Sequence, residues 1–166
     1  FRRVLFRSRE LFQPASLSAA EAVAAALAAY EEVGGLVVIN ETSDNCGGTP
    51  GDGTHLLRAM LDAGLQKATF AFIVDPAVAA QAHEAGVGAT IQVALGAKYD
   101  TMHGTPIERE VYVKALHDGR LTMQAMGKGA PLNLGPLARL VVDGIDVVVG
   151  SHRSQTFDPG PFEAVG

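Results

Sequence analysis

The sequence predicts an α/β fold with a mixed sheet, and three observations carry that reading. Short apolar runs at Leu36–Ile39 and Ala68–Val74 alternate with helical patterns in the first half. Strand-like runs flank Asp118-Gly119 and Asp143-Gly144 in the second half. Asp-Gly between β-rich runs is the strongest short-range hairpin signal. The N-terminal half is therefore expected to be βαβα with a preceding helix, and the C-terminal half mostly antiparallel strands with two Asp-Gly hairpins.

The elements follow in order. Ser18-Ala19-Ala20-Glu21 matches a capping box, in which the serine accepts from an early N–H and the glutamate reaches back. An Ala-rich helix from Glu21 to Val33 follows, and Gly34-Gly35 stop it. Leu36-Val37-Val38-Ile39 reads as a short, fully apolar strand of a sheet covered on both faces. A helix is expected from about Thr54 to Ala63, ended by Gly64, with Leu56, Leu57, Met60 and Leu61 on one face. Ala68–Val74 is the second buried strand, paired in parallel with the first. Asp75-Pro76 starts the next helix, with Asp as N-cap and Pro at the first helical position, and Gly86 ends it. Ala89–Leu95, Val111–His117, Leu121–Met126, Leu137–Val142 and Ile145–Val149 are the later strands, and Asp158–Val165 begins a final short helix.

Composition narrows the function classes. The chain has 166 residues, 48% hydrophobic and 19% charged, with a formal net charge of -5. That length and balance suit one globular domain. No Lys/Arg cluster supplies the footprint of a nucleic-acid binder, and no apolar run is long enough to span a bilayer as a helix. Cys46 is the single cysteine, which excludes an intrachain disulfide and a thiolate-built zinc site. A cytoplasmic location is the expectation that fits.

Phe1 to Ser8 read FRRVLFRS, which lacks the apolar core and small-residue cleavage site of a signal peptide. The codons TTC AGA CGT GTG CTC TTC CGA TCT encode these residues and resemble a widely used sequencing adapter. Residues 1–8 are thus expected to be adapter-derived, leaving 9–166 as a single domain from a larger protein.

The stretch Glu41 to Thr54, ETSDNCGGTPGDGT, is the chemically richest. Its glycines permit positive φ and close backbone approach. The helix start behind it offers N–H groups to an anion, while Asp44 and Asp52 suit a cation or a proton. It is not a P-loop, because Thr54-His55 follows Gly53 where Lys-Ser/Thr is needed, and its glycines are not spaced G-x-G-x-x-G. The plain alternative is a surface turn. His55, in the first turn of the helix, lies within reach of a ligand held by the loop. His83, His103, His117 and His152 show no metal-ligand spacing, and the ordinary reading of each is a solvated or half-buried histidine. No G-x-S-x-G is present, and Cys46 has no base beside it in sequence.

Four segments together resemble one family. They are Val37-Val38-Ile39-Asn40-Glu41-Thr42-Ser43-Asp44-Asn45-Cys46-Gly47-Gly48, Pro50-Gly51-Asp52-Gly53-Thr54, Ala85-Gly86-Val87-Gly88-Ala89-Thr90, and Asp143-Gly144-Ile145-Asp146-Val147-Val148-Val149 with Gln155-Thr156-Phe157-Asp158. The chain from about Ser16 onward resembles the C-terminal domain of the microcystinase C-like (MlrC) metallopeptidases, most specifically in its Asp-Asn-x-Gly-Gly element. By that resemblance Cys46 stands where the family has Pro, and Thr49 where it has a third Gly. Both departures bear on loop rigidity.

The resemblance implies a zinc-dependent amide hydrolase of small or modified peptides. Its zinc and catalytic residues are expected in an N-terminal domain outside this chain, so no metal ligand and no catalytic residue is assigned here. A zinc-bound water would attack a polarised carbonyl, with Gly47 and Gly48 N–H groups facing the developing oxyanion. Asp44, Asn45, Gly47, Gly48 and Asp52, with Thr54 and His55 at the helix start, are the expected substrate-cleft or site-supporting residues. The expected partners are the N-terminal catalytic domain and a small peptide; a homo-oligomer stays open. The competing readings are a stand-alone anion or small-molecule binding module and a structural or oligomerisation domain.

Overall fold

The computed structural model describes residues 16–45, 48–155 and 158–166. These fall into two compact units divided between Ile39 and Asn40. Expectations that rest on Phe1 to Ser8, Cys46, Gly47, Thr156 or Phe157 lie outside the described residues.

The first unit holds helix α1, Ala19–Val33. Its capping box forms as the sequence dictates. Glu21 N donates to Ser18 Oγ at 3.3 Å, and Ser18 N donates to Glu21 Oε2 at 2.8 Å. Gly34, at φ 71°, ends the helix with its N–H on Tyr30 O. The strand expected at Leu36–Ile39 does not form. This segment is irregular, with Leu36 92% and Val38 78% exposed. Four apolar residues do not make a strand unless another strand offers a free ladder.

The second unit carries α2 (His55–Asp62), β1 (Ala68–Val74), α3 (Pro76–Ala85), β2 (Thr90–Leu95), β3 (Ile107–His117), β4 (Arg120–Thr122), β5 (Pro131–Asn133), β6 (Leu137–Val142), β7 (Ile145–Gly150) and α4 (Gly160–Glu163). Five strands form a mixed sheet in the order β1-β7-β6-β3-β2, and β4 pairs with β5 in a small antiparallel sheet. The α/β class with a mixed sheet is thus as the sequence predicts.

The parallel pair is β1 with β7, from Ala68 opposite Ile145 to Val74 opposite Gly150. It is not the expected pair of Leu36–Ile39 with Ala68–Val74. As an edge strand, β1 is buried only at Phe72 and Ile73, rather than throughout. The β6–β7 hairpin closes on Asp143-Gly144, with φ of 48° and 90°. Positive φ at both loop residues matches the right-handed twist of the strands. Gln66 Nε2 donates to Asp143 O at 3.0 Å and holds the turn from outside.

Asp118-Gly119 turns the chain but closes no hairpin between β3 and β4. The N-terminal half of β3 pairs with β2 and its C-terminal half with β6, with a bulge between Val113 and Ala115. The chain after Gly119 pairs with β5 instead. The expected strand Leu121–Met126 is accordingly shortened to Arg120–Thr122.

Helix α3 buries Val78, Ala79 and Ala82 and lies against β2, β3, β6 and β7. A second cluster joins Phe72, Leu134, Leu137, Val148 and Val165, flanked by Phe162 of α4. These two packings fix the ends of β1, β2 and β7; the 96–106 loop leaves the end of β2, and the glycine-rich loop leads into α2.

Candidate functional site

Asp44 organises the glycine-rich loop. Its Oδ1 accepts from Thr49 Oγ1 at 2.6 Å and from Gly51 N at 2.9 Å, and its Oδ2 accepts from Gly53 N at 2.6 Å. Gly51 has φ 76°, and a Cβ on Gly53 would stand 2.9 Å from Asp44 Oδ2. Glycine at both positions lets the backbone wrap the carboxylate. Burial on its own would raise the pKa of Asp44. The hydrogen bonds from Thr49, Gly51 and Gly53 and the charge of His103 outweigh it and hold the carboxyl below the usual range.

Asn45 continues the loop. Gly48 N and Thr49 N both donate to Asn45 O at 2.9 Å, and Gln155 Nε2 donates to Asn45 Oδ1 at 3.0 Å. Arg153 adds a bond to Thr49 O at 3.3 Å. The Gly48 N–H is therefore engaged within the loop, not directed outward as an oxyanion donor. Gly47 lies outside the described residues. Gly48 itself is exposed, and a Cβ there meets nothing within 4 Å among the described residues.

Asp52 faces the other way. It is 5% exposed, and its Oδ2 accepts from Lys98 N at 2.7 Å and Tyr99 N at 3.1 Å. Its Oδ1 is buried without a hydrogen-bond partner among the described residues. Ala97 N donates to Asp52 O at 2.6 Å, and a Cβ on Gly96 would stand 2.7 Å from that same oxygen. The loop that follows β2, residues 96–106, is thereby pressed onto the glycine-rich loop.

Thr54 is the N-cap of α2, but its hydroxyl does not cap the helix. Instead Oγ1 donates to Thr105 O at 2.8 Å, and Thr54 N donates to His103 O at 2.9 Å. His55, exposed in the first turn, donates from Nε2 to Met102 O at 3.0 Å. Both residues stitch α2 to the 96–106 loop.

The structure gives further residues roles that sequence reasoning did not assign them. His103 is 12% exposed in its side chain; its Nδ1 lies 2.8 Å from Asp100 and its Nε2 3.8 Å from Asp44 Oδ1. Asp75 caps α3 through Val78 N at 3.1 Å, accepts from Gly96 N at 2.9 Å, and pairs with Lys98 Nζ at 2.8 Å. Asp158 accepts from Gln124 N at 2.7 Å, Ala125 N at 2.8 Å and Gly160 N at 2.9 Å. Those backbone bonds, Ala125 foremost, hold its carboxyl below the usual range against burial. The spacing Asp100-x-x-His103 before Gly104 was the available signal for the first of these.

The other histidines are not brought into the site. His83, in the last turn of α3, donates to Leu137 O at 2.9 Å, and His117 Nδ1 accepts from Gly119 N at 3.0 Å. His152 is exposed beside Asn133.

Among the described residues, no group of three or more His, Cys, Asp or Glu side chains can hold a metal ion. Both oxygens of Asp44 already accept hydrogen bonds, and the two ring nitrogens of His103 face carboxylates. These residues do not fit a zinc centre, which needs free lone pairs converging on one point.

Fold and site define a mixed α/β domain with a loop scaffold centred on the Asp44 carboxylate. The chain belongs to the MlrC C-terminus family, whose model matches residues 39–166. It is 32% identical over 131 residues to Microcystinase C of Sphingomonas sp., covering 78% of this chain and 25% of that protein. It also superposes on the crystal structure of a "Putative metallopeptidase" from Mesorhizobium sp. BNC1, with a TM-score of 0.82 and 28% identity. That match covers 99% of this chain and 33% of the other. The chain thus spans a quarter to a third of the length of these relatives.

Proposed function

We infer that this domain is the C-terminal part of a zinc-dependent metallopeptidase acting on small or modified peptides. It contributes the loop at residues 44–54 as one wall of the substrate cleft. The zinc and the residues that activate water belong to a part of the protein outside this chain.

The observation that carries this reading is the orientation of the loop. Asp44 turns both oxygens inward onto Thr49, Gly51 and Gly53, which ties down the described part of the loop from Gly48 to Gly53. Its outer side at Gly48 is exposed, and among the described residues a Cβ there would meet nothing within 4 Å. A wall of fixed shape beside open space is what positioning a substrate requires. The family membership and the metallopeptidase named among its relatives supply the reaction class.

Anion capture by the loop amides is less well supported. The N–H groups of Gly48, Thr49, Gly51 and Gly53 are all engaged by Asn45 or Asp44.

The reading is tested by assaying peptide hydrolysis with added zinc. The purified 166-residue chain is expected to show none, and a longer protein carrying the remainder of the family architecture is expected to be active. Zinc-dependent hydrolysis by this chain alone would overturn the assignment.

A further inference from the structure

We propose that His103 is a pH-operated clasp between the 96–106 loop and the glycine-rich loop, closed when the imidazole is protonated and loosened when it is neutral. This stands independently of the peptidase reading, because it concerns how the two loops are fastened whatever they serve.

Asp100 aims the ring. Its Oδ1 accepts from Met102 N at 2.7 Å and His103 N at 3.1 Å, so the carboxylate is fixed by its own loop. Both of its oxygens lie 2.8 Å from His103 Nδ1. With Nδ1 held there, Nε2 points across to Asp44 Oδ1 at 3.8 Å. Asp44 is the carboxylate that shapes the glycine-rich loop, so the ring reaches its central group.

The surrounding charges favour the protonated ring. Asp44 and Asp52 face it from the glycine-rich loop, and Asp100 faces it from its own. The neighbouring cations are directed elsewhere. Lys98 pairs with Asp75. Arg58 of α2 donates to Thr105 O at 3.0 Å and Pro106 O at 3.2 Å. Arg153 binds Thr49 O, and His55 of α2 binds Met102 O. The hydrogen bond to Asp100 first, then attraction to Asp44, Asp100 and Asp52, lifts the His103 pKa above its ordinary 6.5, although burial opposes the shift.

The pH dependence follows from that direction. A raised folded-state value means the stabilisation is complete below 6.5 and is lost as pH rises through the folded value. Asp44 and Asp100 are both lowered from 3.8, so they stay ionised throughout that window. On deprotonation Nδ1 keeps its hydrogen and its bond to Asp100. Nε2 becomes a lone pair facing Asp44 Oδ1, and an attractive contact turns into an acceptor facing an acceptor. The backbone bonds between the loops, Thr54 N to His103 O and Ala97 N to Asp52 O, carry no titratable group, and the His55 contact to Met102 O is separated from the clasp by the His103→Gln variant.

The test follows the amide exchange of Gly51 and Gly53 in the 166-residue chain from about pH 5.5 to about 8.5, corrected for intrinsic rates, while His103 is titrated by NMR. Protection is expected to fall roughly three- to tenfold. Its midpoint should coincide with the His103 titration and lie above 6.5. His103→Gln should abolish the step, and Asp100→Asn should shift the His103 midpoint downward. A His103 midpoint at or below 6.5, or protection that stays flat while the ring titrates, would overturn the clasp. Both are read on the unsubstituted protein, so neither depends on a variant folding.

Discussion

Replacing Asp75 by Ala is expected to destabilise the domain by about 3–5 kcal/mol, combining a lost helix cap with buried donors left unpaired. Asp75 is 2% exposed and serves three elements at once. It caps α3 through Val78 N, receives Gly96 N from the end of β2, and holds the Lys98 ammonium. Without the carboxylate, the Val78 and Gly96 amides lose their acceptor in a region closed to water. Urea denaturation measures the difference. Lys98→Ala separates the contributions. Its side chain is 40% exposed, so losing the ion pair alone should cost about 1 kcal/mol or less. An Asp75→Ala effect no larger than that of Lys98→Ala would show that the carboxylate acts only as an ion-pair partner.

Asp44→Asn is expected to destabilise by about 2–3 kcal/mol, with the loss concentrated in residues 44–54. The amide keeps the shape of the carboxylate but turns one acceptor into a donor. Whichever way it flips, that NH2 meets either Gly53 N or the pair Gly51 N and Thr49 Oγ1. Donor then faces donor at a buried position. Amide exchange at Gly51 and Gly53 should accelerate well beyond the change seen in β6 and β7. Uniform acceleration across the sheet, or none in the loop, would mean that Asp44 does not shape it.

How much was legible in the sequence depended on how local each determinant is. The Ser18–Glu21 capping box, the Asp75-Pro76 helix start and the Asp143-Gly144 hairpin were all readable, because their chemistry closes within a few residues. The strand at Leu36–Ile39 was not, since pairing depends on which edge is free, and β1 takes β7 as its partner. Asp118-Gly119 has the same turn chemistry as Asp143-Gly144. It fails as a hairpin because β6 already pairs with the C-terminal half of β3.

The site divides in the same way. Asp44, Asn45, Asp52, Thr54 and His55 lie within one loop and its helix start, where clustered glycines and carboxylates announce them. Lys98, Asp100 and His103 enter from the loop after β2, and Asp75 from the start of α3, through contacts such as Ala97 N to Asp52 O and Gly96 N to Asp75, which no spacing rule encodes. Asp75 was legible as a cap, but its second bond, to Gly96, depends on the tertiary fold.

The central claim is that the glycine-rich loop forms a wall of the substrate cleft in the longer protein. Gly48→Leu tests it most directly, because a Cβ at Gly48 meets no described residue within 4 Å and the substitution should leave folding intact. The measurement is kcat/KM for peptide hydrolysis by the longer protein, with its thermal midpoint as control. We expect kcat/KM to fall by about tenfold or more, equivalent to about 1.4 kcal/mol of transition-state binding, with the midpoint nearly unchanged. Unchanged kcat/KM in a folded Gly48→Leu protein would contradict the account.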